Sequence, residues 1–210
     1  MASIESWREL LTRWNAELLD TPDLIWRAPD DAVASDWLGC PPASDEQIRA
    51  AEARIGRRLP PSYRAFLQVS NGWTLLNHFH WHLWSTDEID WFRVRNQDWI
   101  DAYVCYLDPD EWDGPYSVPD AEYFNYGTMP HGEGQGEARF EYLPSMLEVS
   151  EVGDSAILLL NPEVVSPDGE WEAWEFATWA ATPTRYRSFW EMMECLHAQF
   201  LHLRRRDDDA

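Results

Sequence analysis

The sequence predicts an α+β fold: a twisted, largely antiparallel sheet with helices packed against it, preceded by an N-terminal helical extension. Three observations support this prediction. Apolar residues recur at helical spacing at both ends of the chain. Between residues 73 and 179, three segments have the apolar patterns of strands. At 210 residues the chain is long enough to bury one sizeable core, so two separate domains are not required.

The N-terminal extension is predicted from residues 3–20. Their apolar members fall on one stripe of an α-helix, which is formed by Ile4, Trp7, Leu10, Leu11, Trp14 and Leu18. Prolines and aspartates between residues 22 and 31 then indicate a loop. We therefore expect residues 1–36 to be an N-terminal helical extension, residues 37–206 to be the main domain and residues 207–210 to be an acidic tail.

Two short helices are predicted to follow this extension. Ser44 and Gln47 have the spacing of a capping box, and Gly56 suits the left-handed residue that ends a helix. Pro60 and Pro61 are tolerated only in a first helical turn, so the second helix should begin there. The residues expected to face the core are Ile48, Ile55, Tyr63, Phe66 and Leu67.

Three later segments are predicted to form strands. Residues 73–85 alternate with period two, so that one face would be apolar and the other would carry histidines. Residues 156–160 are continuously apolar, as in a central strand covered on both faces, and Asn161-Pro162 is expected to end this strand. Residues 170–179 alternate again, and their acidic members would form either a partner-facing surface or a solvated sheet edge.

Two further helices are predicted beyond residue 85. One begins near residues 86–88, where acidic side chains suit the positive end of a helix dipole. The other follows Ser188, which has capping-box spacing to Glu191. The apolar residues expected to be buried are Ile89, Phe92, Trp99 and Ile100 in the first helix, and Phe189, Met192, Met193, Leu196, Phe200 and Leu203 in the second.

Two groups of motifs resemble those of one known superfamily. The first is carried by Gly56, Leu59, Pro60, Tyr63, Phe66, Leu67, Asn71 and Gly72. The second consists of LLLNP at 158–162, DGEWE at 168–172 and RYRSF at 185–189. In order and spacing they resemble the SUKH superfamily, which groups a yeast cell-wall assembly regulator with many bacterial toxin-immunity proteins. The resemblance covers about residues 43–203 and implies a SUKH-like fold with an immunity role.

The charge of the chain restricts its partners. The chain carries 38 acidic and 16 basic residues, for a net charge of −22, and every basic residue is arginine. Residues 101–180 hold 18 carboxylates and a single arginine. Such a surface disfavours binding to free DNA, RNA or an anionic membrane, and it would accelerate association with a basic protein. An alternative interpretation is that the acidity only maintains solubility.

Several other classes of protein are disfavoured by what the sequence lacks. The first residues do not form a secretory signal, and no apolar run reaches the roughly 20 residues of a membrane span, so we expect a soluble, cytoplasmic protein. Three distant cysteines do not indicate a disulfide scaffold or a zinc site. We find no nucleophile, dinucleotide or phosphate-loop motif, and we expect neither enzymatic activity nor a cofactor.

Three stretches resemble metal or phosphate sites, but each lacks part of the residue set that such a site needs. The aspartates at 108, 110 and 113 lack the glycine and the closing glutamate of a calcium loop. The glycine-rich residues 131–137 have acidic neighbours instead of the base that a phosphate loop needs. His78, His80 and His82 would line one face of a strand, but no residue with matching spacing completes a metal site. Whether the three histidines bind a metal stays open.

These observations lead to a functional hypothesis. We expect a cytosolic immunity protein that binds and neutralises a cognate toxin domain, which would be basic and nuclease-like because a nuclease groove must itself be cationic. The alternative is a non-enzymatic scaffold or regulatory protein of the same superfamily. The residues predicted to bind the partner are Asp108, Asp110, Glu111, Trp112, Asp113, Tyr116, Glu170, Glu172 and Trp174. The oligomeric state is left open.

Overall fold

The computed structural model describes residues 2–104, 118–126 and 138–208 and confirms the α+β fold. The first helices are α1 (Ile4–Leu19), α2 (Pro22–Ile25), α3 (Asp30–Ala34), α4 (Asp45–Ile55) and α5 (Pro61–Leu67). The chain continues through β1 (Asp90–Trp91), α6 (Phe92–Arg95), α7 (Gln97–Val104), α8 (Asp120–Tyr123), a 3₁₀ helix (Phe140–Ser145), β2 (Leu147–Glu148), β3 (Ala156–Val165), β4 (Trp171–Ala177), β5 (Thr184–Tyr186) and α9 (Phe189–Asp208). Within the described ranges, no helix is both long and apolar enough to cross a bilayer.

Local sequence explains where α4 and α5 begin and end. Ser44 Oγ accepts a hydrogen bond from Gln47 N at 3.2 Å, and Gln47 Oε1 accepts one from Ser44 N at 2.9 Å, so the predicted capping box is confirmed. Gly56 ends α4 with a φ of 72°, in the left-handed region. Pro61 is the first residue of α5, where its missing N–H costs no helical hydrogen bond.

Five strands, all from the described residues, form one open sheet. They follow one another in the sheet in chain order, and each neighbouring pair is antiparallel. The prediction that β3 ends at Asn161-Pro162 was wrong, because the strand continues to Val165 through an irregularity in its register with β4. Such an irregularity accommodates proline, which cannot donate to the hydrogen-bond ladder.

Side chains of β3 are buried on both faces of the sheet. Leu158 and Leu160 join a core that includes residues of α1, α4, α5 and α9. Ile157 and Leu159 join a second core, to which α6, α7 and the 3₁₀ helix contribute. The continuous apolar run of β3 therefore fits a strand covered on both sides, as the sequence predicted.

Helix α1 is part of the larger core. Trp7 and Trp14 are fully buried. The indole N–H of Trp7 donates to the carbonyl of Ser62 at 2.9 Å, and that of Trp14 donates to the carbonyl of Leu76 at 3.0 Å. Trp7 also packs against Phe189 at the start of α9, with ring centres 5.5 Å apart. The N-terminal helix therefore contacts both α5 and the C-terminal helix.

Residues 73–85 do not form the regular strand that their alternation predicted. The chain reverses at Asn77, whose side-chain oxygen accepts hydrogen bonds from the backbone N–H groups two and three positions later, at 2.8 Å each. The two arms of this turn meet in an isolated bridge between Trp73 and Leu83. An asparagine-centred turn therefore replaces the predicted strand.

The helix predicted to begin at residues 86–88 is also absent. These residues form a turn, and the carboxylate of Glu88 accepts hydrogen bonds from the backbone N–H and the hydroxyl of Ser85. The chain then forms the edge strand β1, which pairs with β2 before α6 and α7 begin. The predicted start signal at residues 86–88 therefore forms a turn, and strand pairing of β1 takes the place of the first helical turns.

Candidate protein-binding surface

The structure describes three of the nine residues assigned to partner binding from the sequence. Asp108, Asp110, Glu111, Trp112, Asp113 and Tyr116 lie outside the described residues. Glu170, Glu172 and Trp174, on or beside β4, are buried, with exposed fractions of 7 %, 1 % and 0 %. We expected these three side chains to be exposed to a partner. That expectation was wrong, because each side chain is buried and has partners inside the protein.

Glu172 accepts hydrogen bonds from several buried groups. Its carboxylate pairs with the guanidinium of Arg185 at 3.2 Å, and neither side chain has exposed surface. The hydroxyls of Tyr123 and Tyr126 donate to it at 2.5 and 3.0 Å, and the indole N–H of Trp174 donates at 2.7 Å. Burial, together with the charge of Glu172, raises the pKa of Tyr123, so this hydroxyl stays protonated and donates.

Glu170 serves a different element, helix α5. Its carboxylate accepts hydrogen bonds from the backbone N–H of Ser62 at 3.0 Å and from the Ser62 hydroxyl at 2.6 Å. A carboxylate in this position satisfies a free amide of the first helical turn and compensates the helix dipole. The start of β4 is thereby tied to the start of α5, so the role of Glu170 is structural.

The three histidines do not form the row that the predicted strand implied. His80 is buried, and its Nε2 lies 2.9 Å from Glu175 Oε1. His82 Nε2 instead lies 3.9 Å from the carboxylate of Glu88. Within the ranges that the structure describes, no three His, Cys, Asp or Glu side chains are grouped so that they could hold a metal ion.

A pocket of ≈ 580 Å³ lies between the segment that follows α2 and the turn formed by residues 73–85. We call it the tryptophan pocket. It is lined by Trp26, Arg27, Pro29, Thr74, Trp81, His82, Trp84, Glu88 and Glu151. Trp, Tyr and Arg are the residue types that dominate the energetics of protein interfaces. This surface is therefore the best candidate for a protein-binding site in the described part of the chain.

Each tryptophan of the pocket is held through its indole N–H. Trp26 and Trp81 donate to main-chain carbonyls three positions earlier, at 2.9 and 3.2 Å. Trp84 donates to the buried carboxylate of Glu148 at 3.1 Å. Trp81 and Trp84 are half-buried, whereas Trp26 is 69 % exposed. The rings therefore present aromatic surface to solvent while their polar atoms are already satisfied.

Two arginines already stack on these rings. The guanidinium carbon of Arg27 lies 4.7 Å from the ring centre of Trp26 and 5.0 Å from that of Trp81. Arg95 lies 5.6 Å from the ring centre of Trp84 and pairs with Glu148 at 3.1 Å. These distances are within the range of cation–π attraction. The pocket walls thus interact favourably with guanidinium groups.

The pocket also carries two neighbouring carboxylates. Burial raises the pKa of Glu151, and the charge of Glu88 raises it further, against the opposing effect of His82. Burial alone would raise the pKa of Glu88 as well, but hydrogen bonds from Ser85, together with electrostatic interactions with His82 and Arg95, hold it below its ordinary value. Glu88 is therefore ionised at neutral pH, and it makes this side of the pocket negative.

The sequence analysis missed this pocket because its residues come from three distant parts of the chain. Trp26 and Arg27 lie in a stretch that was interpreted only as a loop. Trp81 and Trp84 were assigned to a strand that the structure does not contain. The signal that could have revealed the pocket was compositional, since exposed tryptophan beside arginine is typical of interfaces.

Comparison with known proteins identifies the family of the chain. No curated protein matches it. The family model of the SMI1 / KNR4 family (SUKH-1) matches residues 42–195, which is well over half of the chain. The matched region runs from just before α4 into α9 and includes the whole described sheet. The resemblance stated from the sequence motifs is thereby confirmed, and the chain belongs to the SMI1 / KNR4 family (SUKH-1).

Proposed function

We propose that this protein is a cytosolic immunity protein that binds a cognate bacterial toxin domain and neutralises it without catalysis. Membership of the SMI1 / KNR4 family supports an immunity or related role. The observation that carries the proposal further is the net charge of −22. An acidic protein is repelled by nucleic acid, whereas it associates faster with a basic protein. We therefore propose a basic, nuclease-like toxin as the partner.

Only part of the acidic charge faces solvent. In residues 101–180, seven described carboxylates are exposed, and they are Asp101, Asp120, Glu122, Glu141, Asp154, Glu163 and Asp168. The buried carboxylates of the same segment are Glu148, Glu170, Glu172 and Glu175, each with internal hydrogen-bond donors. Among the described carboxylates of this segment, the exposed group therefore contributes most of the field that a partner meets.

A nuclease offers a physical reason for this complementarity. Its substrate groove must attract phosphates, so the groove carries positive charge. An acidic protein that occupies the groove excludes the nucleic acid and replaces its negative charge. Aromatic side chains among the carboxylates would supply most of the binding energy, because hot spots are enriched in tryptophan and tyrosine. Trp112 and Tyr116 remain the proposed anchors within the 108–116 stretch.

Co-expression tests the proposal. The chain should rescue cells from the toxin encoded beside it, and the rate of complex formation in vitro should fall as salt is added. The triple variant D110N/E111Q/D113N should bind more slowly than the matched control E5Q/E9Q/E46Q, which removes three exposed charges from α1 and α4. Binding that is indifferent to salt and to the triple substitution would contradict the electrostatic part of the proposal.

The alternative function, a scaffold or regulatory protein of the same family, makes a different prediction. A scaffold would be recovered with several partners and would not rescue cells from any single toxin. An immunity protein should instead protect against one toxin and form one stable complex. The rescue experiment therefore separates the two functions directly.

A further inference from the structure

We propose that the tryptophan pocket binds an arginine side chain presented by the protein partner. This inference rests on the proposed function and deepens it, because it names both the receiving surface and the chemical group that the partner contributes. The pocket has a cavity of ≈ 580 Å³, aromatic walls and two carboxylates, which together suit a planar cation.

The aromatic walls favour guanidinium over other cations. Trp81 and Trp84 are half-buried and hydrogen-bonded, so their rings are fixed before a partner arrives. A guanidinium is planar and weakly hydrated, and it stacks on an indole face more readily than the compact, strongly hydrated ammonium of lysine. Cation–π attraction also strengthens where the cation is partly shielded from water.

The protein itself contains two examples of this contact. Arg27 lies against Trp26 and Trp81, and Arg95 lies against Trp84, with guanidinium-to-ring distances of 4.7 to 5.6 Å. Arg27 therefore occupies one end of the pocket and competes with an incoming guanidinium. A partner arginine that enters would make the same kind of guanidinium–indole contact that Arg27 and Arg95 make in the free protein.

The carboxylates supply the charge complement. Glu88 and Glu151 are close enough that the charge of one disfavours ionisation of the other. Arg27 and His82 in the pocket lining oppose them, and Arg95, which lies against Trp84, also acts on Glu88. An arginine fork donates to carboxylates in fixed geometry, and it relieves this repulsion when it binds. A basic protein thus fits the pocket, whereas a phosphate group or an anionic lipid would be repelled.

The test uses the full chain labelled with ¹⁵N at its tryptophan indoles. The probe is Nα-acetyl-Gly-Arg-Gly-amide, compared with the same peptide carrying lysine or citrulline, which has the shape of arginine without its charge. Single Trp→Phe variants assign the indole signals of Trp81 and Trp84. We expect saturable shifts of both signals with the arginine peptide, weaker shifts with lysine and none with citrulline.

Two variants should change the affinity in opposite directions. E88Q/E151Q removes both charges while each glutamine keeps an oxygen acceptor, and it should weaken arginine binding by about tenfold or more. R27M removes the competing guanidinium and should strengthen binding by about threefold. The control E9Q/E46Q removes two exposed charges from α1 and α4 and should leave the affinity unchanged.

Equal shifts with the arginine and citrulline peptides, or equal affinity in E88Q/E151Q and the natural sequence, would overturn the inference. Toxin rescue that survives E88Q/E151Q, combined with no arginine-specific shift, would overturn the pocket assignment and leave the proposed function standing. The protein could also show arginine-specific shifts, with affinities that change as expected in E88Q/E151Q and R27M, and yet rescue no cells from a toxin. That result would support the pocket assignment and reject the immunity role.

Discussion

Glu172 and Arg185 are buried together, and the cost of removing both charges from water is offset by neighbouring donors. Two tyrosine hydroxyls, an indole N–H and the amide of Asn161 all donate to the Glu172 carboxylate. A buried ion pair contributes little when compared with an apolar pair, but the loss of one partner leaves an uncompensated charge. Removal of one member of the pair should therefore lower the stability of the fold.

We expect Glu172→Gln to lower the free energy of unfolding by about 3 kcal/mol, because Arg185 would lose its ion pair with Glu172 while it stays buried. Urea denaturation measures this difference. Glu163→Gln is the matched control: it breaks an exposed ion pair with Arg57 and should cost less than about 0.5 kcal/mol. Equal losses in the two variants would contradict this account of the buried pair.

The lowered pKa of the buried Glu175 predicts that the stability of the protein depends on pH. Burial alone would raise its pKa, but hydrogen bonds from His80, Tyr186 and Gln199 hold the pKa below the ordinary value of about 4.3. A carboxyl whose folded pKa is lowered contributes stability that is complete above the unfolded pKa and is lost as pH falls through the folded pKa.

We therefore expect the unfolding free energy to fall with acidification below about pH 5, and to fall less steeply in Glu175→Gln. Urea titrations between pH 7 and pH 3, or about that range, measure the two slopes. Glu163→Gln should keep the slope of the natural sequence, since its carboxylate is largely exposed. Parallel curves for Glu175→Gln and the natural sequence would exclude this contribution.

At the scale of elements, two glycines are required for different physical reasons. Gly56 has a positive φ, and a Cβ added there would meet no atom within 4 Å, so its requirement is conformational. At Gly153, an added Cβ would lie 2.0 Å from the carbonyl oxygen of Phe79, so its requirement is steric. Gly153 therefore fixes how closely the segment before β3 approaches the turn of residues 73–85.

We expect Gly56→Ala to cost about 1 kcal/mol of unfolding free energy, the usual penalty of a left-handed residue that carries a Cβ. Gly153→Ala should cost more, about 2 kcal/mol or above, because the backbone must move. Denaturant midpoints with unchanged slopes measure both costs. A smaller loss at Gly153 than at Gly56 would contradict the steric argument.

Elements that depend on short-range signals were predicted well. The capped helix α4, the proline-initiated α5 and the apolar run of β3 each follow from a few adjacent residues. The segment 73–85 failed because its alternation is overridden by contacts from elsewhere. Asn77 forms a turn, and His80 pairs with Glu175, 95 positions later. Periodicity contains no information about such partners.

The candidate site was less predictable than the fold for the same reason. An acidic residue on an alternating strand is usually solvated, and the sequence gives no sign that Tyr123 and Arg185 will enclose Glu172. The tryptophan pocket likewise unites Trp26, Trp84 and Glu151, which are separated by more than half of the chain. Both features exist only after the strands and the N-terminal segment have packed together.

At the scale of the whole molecule, the N-terminal helix is joined to both ends of the main body. Trp7 donates to the carbonyl of Ser62, and Glu17 lies 2.5 Å from His197 of α9. Arg204 near the end of α9 donates to the carboxylate of Asp20 at 2.6 Å. Each of these contacts involves at least one residue outside 42–195, the range that the family model matches.

We therefore expect removal of residues 1–36 to unfold or aggregate the remaining chain, although the family match begins only at residue 42. The deletion would expose the apolar surface that covers Trp7 and Trp14, both fully buried. Soluble yield and near-ultraviolet circular dichroism measure the effect, with removal of residues 207–210 as a control that should change neither. Cooperative unfolding of a soluble 37–210 fragment would show instead that the extension is dispensable.

The packing of α1 against α9 also sets an order of events during synthesis. Helix α1 buries its tryptophans against Phe189 and His197, which are translated about 180 residues later. Until those residues emerge, the apolar stripe of the nascent helix stays open to water and to chaperones. This core is therefore complete only after α9 has been translated, so a chain terminated near residue 189 leaves the tryptophans of α1 exposed to water.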